Sequence, residues 1–353
     1  MAPACTRLTL WTQQVLFRLQ ACPTLVRKFW LVLLSASAFL ALLTFGYTFM
    51  PSRKHQRELQ PLTEKEQAAR HQLQADVTML ATTIGGRDVN KHGALGRAAD
   101  YISDELRSSG YAPERQLFSA DAKDFQNIEA ELRGTADAGR VIVVGAHYDT
   151  AGGLPGANDN ASGVAACLRL ARSFAGQRQK ATVRWVFFTN EEPPYFQSAA
   201  MGSVVYAKRC HGRNERVAAM LSLEAIGYYS EEPGSQTYPI GFHPGYPDRG
   251  NFLGFVANFR SASLLRSALK SFRSATSLPA VGAAAPASIP GIGWSDHWAF
   301  WQFGYRALML TDTAPYRYPY YHSAEDTPEK LDYDRLARAV TGIEAIVRHL
   351  ASD

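Results

Sequence analysis

Two imidazoles and three carboxylates occur where strand-like segments of this sequence end. His147 lies near the end of VIVVGAHYD, Asp159 lies in the glycine-bounded loop GANDNASG, and Glu192 follows TVRWVFFTN. Glu224 interrupts the apolar run of LSLEAIGYY, and His322 lies in a polar loop before the last helical pattern. Each residue alone is more often a surface side chain, but five such positions together are improbable by chance. The set suits a borderline divalent cation such as zinc.

Glu224 is the hardest of these residues to explain by a structural role. It stands between Leu223 and Ala225 in an apolar segment. A carboxylate buried there without a partner would be costly, so it requires a nearby cation or a shifted pKa. Ligands bind at the carboxyl ends of strands in open α/β sheets. We therefore expect the five side chains to converge on a metal site at one edge of a sheet.

Strand and helix patterns alternate along most of the chain. The strand-like segments are 127–134, 141–149, 182–190, 218–229, 251–258 and 306–312, and the helical segments are 162–175, 202–210, 261–275 and 331–350. The second and third strand-like segments are apolar enough to be buried on both faces, which is typical of parallel sheets. This alternation predicts an α/β sandwich around a largely parallel sheet.

The first 57 residues differ in charge from the rest of the chain. The 353 residues are 46% hydrophobic and 20% charged, which excludes a disordered or collagen-like polypeptide. The net charge is +5, but residues 1–57 hold seven basic residues and no acidic one, which leaves −2 for the remainder. Because nucleic-acid binding needs a basic face on the folded domain, no nucleic-acid partner is expected.

Residues 29–50 form an uncharged run, FWLVLLSASAFLALLTFGYTFM. A helix of that length, at about 1.5 Å per residue, matches the hydrocarbon thickness of a bilayer. The bulky residues at its end argue against cleavage as a signal peptide, so we expect a single-pass membrane anchor with the folded domain outside the cytoplasm. The predicted divisions are a basic N-terminal segment (1–28), the anchor (29–50), a linker (51–62) and one folded domain (63–353).

Six motifs follow one another in an order that is specific to one family. They are GAHYDT, GANDNASG, Asn-Glu-Glu at 190–192, LSLEAIGYY, WSDHWAF and YHSAEDT. Residues 73–353 resemble the M28 family of co-catalytic zinc peptidases, typified by bacterial aminopeptidases. The resemblance implies a three-layer sandwich whose central mixed, mostly parallel sheet is flanked by helices. It also implies peptide substrates with a free N-terminus.

The resemblance implies two zinc ions per chain, held by five side chains. One ion would be bound by Asp159, Glu192 and His322, and the other by His147, Asp159 and Glu224, so that Asp159 bridges them. Members of the family also have a cis peptide bond after the bridging aspartate, here between Asp159 and Asn160.

Three further residues match catalytic positions of the family. Glu191 matches the general base, and Asp149 matches the carboxylate that orients His147. Residues i and i+2 of a strand point to the same face, as that orienting role requires. Tyr321 occupies the position of a tyrosine that stabilises the developing oxyanion in several members. In an extended segment adjacent side chains diverge, so Glu192 can bind metal while Glu191 reaches a water molecule.

The sequence also departs from the usual family pattern. The loop after the paired glutamates is lengthened to EEPPYFQSAAMGS, and we expect Tyr195 and Phe196 to reshape the substrate pocket. Residues 295–297, Ser-Asp-His, are expected near the pocket in a structural role. Cys167 and Cys210 are expected to be buried free thiols, since two cysteines make neither a disulfide framework nor a zinc site.

Two other functions fit parts of the sequence. Glutaminyl cyclases share the fold and several ligands, and they also tend to have a long loop after the paired glutamates. They use one zinc ion and typically place tryptophan before the final histidine, where this chain has Tyr321, so the peptidase is favoured. A catalytically inactive receptor or scaffold on the same fold would usually have lost ligands, and here none is missing.

Overall fold

The computed structural model describes residues 27–35, 37, 49–50, 59–239 and 245–352. The chain separates into two compact units, Met1–Phe49 and Met50–Asp353. Residues 27–35 and 37 are helical, while most of the predicted N-terminal segment, most of the anchor and most of the linker lie outside the described residues. Within the described ranges, no helix is both long enough and apolar enough to cross a bilayer.

The last two residues of the predicted anchor are extended. Phe49–Met50 form a two-residue strand at the boundary of the two units. Pro51 follows Met50, and the residue before a proline is pushed away from the helical region by a clash with the proline ring. The prediction of one helix through residue 50 is therefore wrong at its end.

Among the residues that the structure describes, eight strands lie wholly within the second unit and belong to one sheet. They are β1 (Glu114–Ala120), β2 (Lys123–Leu132), β3 (Asp137–His147), β4 (Ala181–Phe188), β5 (Arg216–Glu224), β6 (Leu253–Ala257), β7 (Ala280–Ala284) and β8 (Ala307–Thr311). Their order is β7-β6-β8-β5-β3-β4-β2-β1. The four central strands β8, β5, β3 and β4 are parallel, while β6 and β2 pair antiparallel with β8 and β4.

Eight α-helices accompany the sheet in the described part of this unit. They are α1 (Glu64–Thr78), α2 (His92–Ser108), α3 (Gly163–Phe174), α4 (Gly202–Gly212), α5 (Ala262–Ala275), α6 (His297–Gln302), α7 (Ala314–Arg317) and α8 (Tyr333–Ser352). The first begins at a capping box, in which the Thr63 hydroxyl accepts from the Glu66 amide and the Glu66 carboxylate accepts from the Thr63 amide. Because the capping box satisfies the backbone N–H groups of Thr63 and Glu66, the local sequence determines where α1 begins.

Both faces of the central strands are covered by helices. Ile142 and Val144 of β3 belong to the main core, which includes residues of α1, α2, α3, α5 and α8. Val141 and Val143 point to the other face, into a smaller core with residues of α4 and α6. Successive side chains of a strand alternate between faces, so an uninterrupted apolar run indicates burial on both. The predicted mixed α/β sheet flanked by helices is confirmed.

The structure differs from the predicted strands in three places. β5 ends at Glu224 instead of continuing to residue 229, because Ala225 takes a positive φ of 44° that ends the extended run. The edge strand β1 was not predicted, and its apolar residue Leu117 is exposed. β7 was also missed because its sequence, AVGAA, has little intrinsic preference for a strand.

Candidate metal centre

The carboxyl ends of three neighbouring strands carry most of the predicted metal ligands. β3 ends at His147 and β5, its parallel neighbour, ends at Glu224. On the other side of β3, β4 ends three residues before Glu191 and Glu192. Asp159 lies in the loop between β3 and α3. Because parallel strands end at the same edge, residues 147 to 224 meet although they are far apart in sequence.

The side chains form two groups that share one residue. In the first group, His147 Nε2 lies 3.3 Å from Asp159 Oδ1 and 3.3 Å from Glu224 Oε2. In the second, His322 Nε2 lies 3.1 Å from Asp159 Oδ2 and 3.2 Å from Glu192 Oε1. The atoms of each group that could bind a metal lie within 4.8 Å of one another. Asp159 thus directs one carboxylate oxygen towards each group.

These separations fit tetrahedral zinc coordination. Ligand atoms about 2.0–2.1 Å from a tetrahedral ion lie about 3.3–3.4 Å from one another, and the separations above are close to that value. In the described part of the chain, Asp159 Oδ1 and Glu192 Oε1 are buried without a hydrogen-bond partner. Buried polar atoms of native proteins are normally satisfied. The donor set and its unsatisfied atoms therefore fit a bound cation.

The charge balance of the site also favours a cation. Burial raises the pKa of Glu191, Glu192 and Glu224, in the case of Glu192 to about 7. Burial acts to lower the pKa of both histidines, but the surrounding carboxylates outweigh it and raise the pKa of His147 well above its usual value and that of His322 to about 10. More carboxylates than imidazoles are crowded together, so ionising all of them requires added positive charge.

Two side chains hold the ligands in place from outside the groups. Asp149 Oδ1 lies 3.5 Å from His147 Nδ1, and Asp149 Oδ2 accepts a hydrogen bond of 3.0 Å from the backbone N–H of Glu192. Ser295 donates to Glu224 Oε2 at 2.7 Å, which gives the Ser-Asp-His segment a direct contact with the site. His297 of that segment instead hydrogen-bonds the Ile292 carbonyl at 2.8 Å.

The loop that carries Asp159 is tied to the strand end that carries Glu224. Asn160 Oδ1 accepts from the backbone N–H groups of Gly163 and Ala225, and its amide nitrogen donates to the Leu223 carbonyl. The peptide bond between Asp159 and Asn160 is cis, as the resemblance implies. These bonds fix two members of one ligand group relative to each other.

Two residues that sequence reasoning did not assign also contact this region. Asp326 accepts from the backbone N–H groups of Asn158 and Asp159, at 2.8 and 3.1 Å. Arg87 is fully buried and donates to the carbonyls of Tyr148 and Gly156. Asp326 stands in the quoted motif YHSAEDT and could have been noticed there. Arg87 is a single arginine outside any quoted motif, so no pattern pointed to it.

A cavity that is open to solvent lies beside the first ligand group. Glu224 and Tyr321 line one part of it, and most of the remaining lining is apolar or aromatic, including Phe252, Ile292 and Trp294. The Tyr321 ring is stacked on the His322 ring with 3.9 Å between centroids. Burial and nearby carboxylates, first Asp159, raise the pKa of the Tyr321 phenol, so the group keeps its proton and can donate a hydrogen bond.

The long loop after the paired glutamates does not line this cavity in the residues that the structure describes. Tyr195 packs against the ring of Phe125, at 5.5 Å between centroids, and its hydroxyl donates to Asp121. Gln197 donates to the carbonyl of Gly293. The expectation that Tyr195 and Phe196 reshape the pocket is wrong for this cavity, because the loop is held against the β1–β2 hairpin. Cys167 and Cys210 are buried free thiols, as predicted.

Comparison with known proteins places the chain in a class. The sequence profile described as Peptidase family M28 matches residues 127–347. YfbL of Escherichia coli (strain K12) is 38% identical over 288 residues, which are 78% of this chain and 87% of that protein. A probable zinc metalloprotease of Pyrenophora teres f. teres (strain 0-1) is 34% identical over 130 residues, 35% of this chain and 26% of that protein.

Solved structures of low sequence identity share the fold. An aminopeptidase from Aneurinibacillus sp. strain AM-1 has a TM-score of 0.60 at 17% identity, covering 82% of this chain and 96% of that one. BSAP, a zinc aminopeptidase from Bacillus subtilis, has a TM-score of 0.62 at 16% identity, covering 84% and 97%. A glutaminyl cyclase of Porphyromonas gingivalis has a TM-score of 0.59 at 18% identity, covering 82% and 99%.

The family match and the two groups of ligand side chains agree on one class of protein. The chain belongs to peptidase family M28. It is a zinc-dependent peptidase, and the prediction of this family from the ordered motifs is confirmed.

Proposed function

We propose that this protein is an aminopeptidase with two zinc ions per chain, which hydrolyses the peptide bond next to a free N-terminus. The observation that carries the proposal is the position of Asp159, whose two oxygens face two separate ligand groups. His147 and Glu224 complete one group, and Glu192 and His322 complete the other. A carboxylate bridge of this kind is the arrangement expected for a pair of metal ions acting on one substrate.

The general base in the proposed mechanism is Glu191. Zinc bound in the two groups would supply a water molecule with a pKa lowered from about 16 towards 7 and would polarise the scissile carbonyl. Glu191 Oε2 lies 3.9 Å from His147 Nε2, beside the ligands but outside both groups. Its carboxylate takes a proton from the attacking water and delivers it to the leaving amine. Asp149 keeps the His147 ring oriented during this step.

The lining of the cavity favours a substrate whose N-terminal residue has a large apolar side chain. Glu224 belongs to a ligand group and also lines the cavity, so a substrate held at the metal centre would lie at the cavity entrance. Its mostly apolar and aromatic lining favours an apolar side chain by the hydrophobic effect. Tyr321 lines the same wall and would donate a hydrogen bond to the oxyanion that develops on the carbonyl.

Zinc analysis combined with a panel of aminoacyl p-nitroanilides tests the proposal. We expect two zinc ions per chain, release of p-nitroaniline from leucyl and phenylalanyl substrates, and loss of release after chelation. The matched control is the N-acetylated form of each substrate, which lacks the free amine and should resist hydrolysis. Equal cleavage of the acetylated substrates would refute an aminopeptidase. If the zinc-bound protein cleaved no substrate, the result would favour a catalytically inactive receptor or scaffold on the same fold.

A glutaminyl cyclase is the second candidate. It is supported by the fold of the Porphyromonas gingivalis glutaminyl cyclase and by the long loop after Glu191 and Glu192. A cyclase would release ammonia from peptides with N-terminal glutamine and would need one zinc ion. We expect no such release above the uncatalysed rate, because the chain offers two complete ligand groups. Ammonia release with one zinc per chain would replace the first proposal by this one.

We also propose that the apolar run that begins at residue 29 and ends before Phe49 anchors the protein in a membrane, with the peptidase domain outside the cytoplasm. The proposal is supported by the uncharged run of these residues and by the basic pairs Arg27–Lys28 and Arg53–Lys54 at its two ends. Protease added to inside-out and right-side-out vesicles tests it. The domain should be degraded only in right-side-out vesicles, and the reverse pattern would invert the orientation. Recovery of the full-length protein in the soluble fraction would refute the anchor.

A further inference from the structure

Arg87 is a buried arginine surrounded by backbone carbonyls. Its side chain is fully buried, and its guanidinium donates to five carbonyls at 2.7 to 3.1 Å: those of Leu80, Gly85, Tyr148, Pro155 and Gly156. Within the described chain, no carboxylate lies at ion-pair distance from it. Burying a charge without a paired counter-ion is costly, so an arginine placed this way needs a specific reason.

The carbonyls bound by Arg87 include the two ends of one short segment. Tyr148 directly follows His147, and Gly156 precedes Asp159 by three residues. Two further hydrogen bonds join Arg87 and Thr150. The backbone N–H of Arg87 donates to the Thr150 hydroxyl, and the backbone N–H of Thr150 donates to the Arg87 carbonyl. The segment from residue 148 to 156 is thus held along its length.

Asp326 binds the backbone N–H groups of the residues that directly follow this segment. Its two carboxylate oxygens accept from the N–H groups of Asn158 and Asp159, at 2.8 and 3.1 Å. Tyr318 donates to one of these oxygens at 2.8 Å, and the Asp326 carbonyl accepts from Ala157 N–H. Arg87 therefore binds carbonyls of the segment, while Asp326 binds its amides.

The charges of the two residues complement each other. Burial lowers the pKa of Arg87 to about 10, and the nearby carboxylates, Asp326 first, oppose that effect, so the guanidinium is charged at neutral pH. The segment has little room to adopt another conformation. Gly156 has a φ of 58°, and a Cβ there would lie 2.3 Å from both the Asp159 carbonyl oxygen and the Thr150 Cγ2.

We propose that Arg87 and Asp326 are positioning residues that clamp residues 148–159 from both sides, so that Asp159 presents one oxygen to each ligand group. The inference rests on the proposed metal centre and extends it to residues that bind neither metal nor substrate. Residues that orient metal ligands typically contribute about 10- to 100-fold to metal affinity. The clamp should therefore affect metal binding beyond its effect on folding.

Zinc affinity of the full-length chain, measured by competition with a chromophoric chelator, tests the clamp. The variants are Arg87→Lys, Arg87→Met and Asp326→Asn. We expect each to bind zinc about 10- to 100-fold more weakly than the wild type. The matched control is Arg338→Met, because Arg338 is also a buried arginine that donates to backbone carbonyls, those of Asp334 and Gln60. It should lose stability in urea and keep the wild-type zinc affinity.

A second readout separates positioning from general destabilisation. Cobalt bound in place of zinc gives visible absorption bands that report ligand geometry. The bands of the Arg87→Lys protein should be shifted from those of the wild type, and those of Arg338→Met should not. Wild-type affinity and bands in both Arg87→Lys and Asp326→Asn would overturn the clamp. If the Arg87 variants do not fold, the zinc affinity and the cobalt bands of Asp326→Asn alone test the clamp, and wild-type values of both would overturn it. Absence of zinc binding by the wild type would instead refute the metal centre itself.

Discussion

Glu191 is an acidic residue that lies beside the ligand groups and belongs to neither of them. Replacing it in the Glu191→Gln variant keeps the size of the side chain but removes its ability to accept a proton. We expect an unchanged zinc content and a kcat lower by about 10²- to 10⁴-fold, the usual contribution of a general base. Metal analysis and steady-state kinetics measure both quantities. Glu325→Gln, at an exposed position, is the control. A kcat within twofold of the wild type would exclude Glu191 as the base.

Tyr321 is expected to act on the transition state more than on substrate binding. The Tyr321→Phe variant keeps the ring that stacks on His322 and removes only the hydroxyl. We expect kcat to fall about 100-fold with little change in KM, as for the loss of one oxyanion donor. Tyr320→Phe is the control, since Tyr320 packs against Tyr318 in the same loop. Equal effects of the two substitutions would assign Tyr321 a packing role.

The residues of the centre were predictable to different degrees. His147 and Glu192 could be identified because they stand at or near ends of clear strand patterns, and Glu224 because it interrupts an apolar segment. The contribution of Arg87 could not, because it depends on which carbonyls the fold brings to one guanidinium. Hydrogen bonds to the backbone leave no pattern of residue types in the sequence.

Among the helices, α6 contains a buried histidine that should make stability depend on pH. Burial lowers the pKa of His297 to about 4. The unfolded chain takes up a proton near pH 6.5 and the folded chain does not, so stability should fall as the pH drops from 6.5 towards 4, by up to about 3 kcal/mol. Urea unfolding of chelator-treated protein at several pH values measures this change in the free energy of unfolding. His297→Gln should reduce the dependence on pH, while His211→Gln, at an exposed position, should preserve it. Identical pH profiles for wild type and His297→Gln would contradict the assignment.

The strands β6, β7 and β8 form one wall of the cavity, to which β7 contributes small residues. Val281 and Ala283 alternate with Gly282, where a Cβ would meet Leu269 of α5, so these two side chains face the cavity. Ala283→Leu adds three carbons to that face. We expect kcat/KM for a phenylalanyl substrate to fall about 10- to 100-fold, because a few methylenes in an apolar pocket change binding by about 1–3 kcal/mol. An alanyl substrate is the internal control and should be little affected. An equal loss for both substrates would argue against this pocket as the specificity site.

The strands that sequence patterns predicted are the central ones. β3 and β4 are buried on both faces, and their apolar runs are long enough to be recognised. The strands β1 and β7 were harder to predict, because they are stabilised by pairing with neighbours and not by their own composition. The short helix α6 was missed for a different reason, because six residues give too little periodicity to detect.

For the whole molecule, bound zinc should stabilise the folded state. A ligand that binds only the folded protein stabilises it by about 2.7 kcal/mol at a free concentration 100 times its Kd. Thermal unfolding with and without free zinc measures this effect. His322→Ala removes one ligand and should reduce the gain in Tm, while His349→Ala, which replaces a histidine near the end of α8, should not. An equal gain in the His322→Ala protein would place the stabilising ion elsewhere.

Sharing Asp159 between the two ligand groups makes their occupancies thermodynamically dependent on each other. The first cation to arrive would neutralise part of the charge that attracts the second, and it would also fix the orientation of the common side chain. The two equivalents of metal would then bind with unequal affinities, and a calorimetric titration would have two phases. A substitution that changes the metal affinity of one ligand group would necessarily change that of the other group as well.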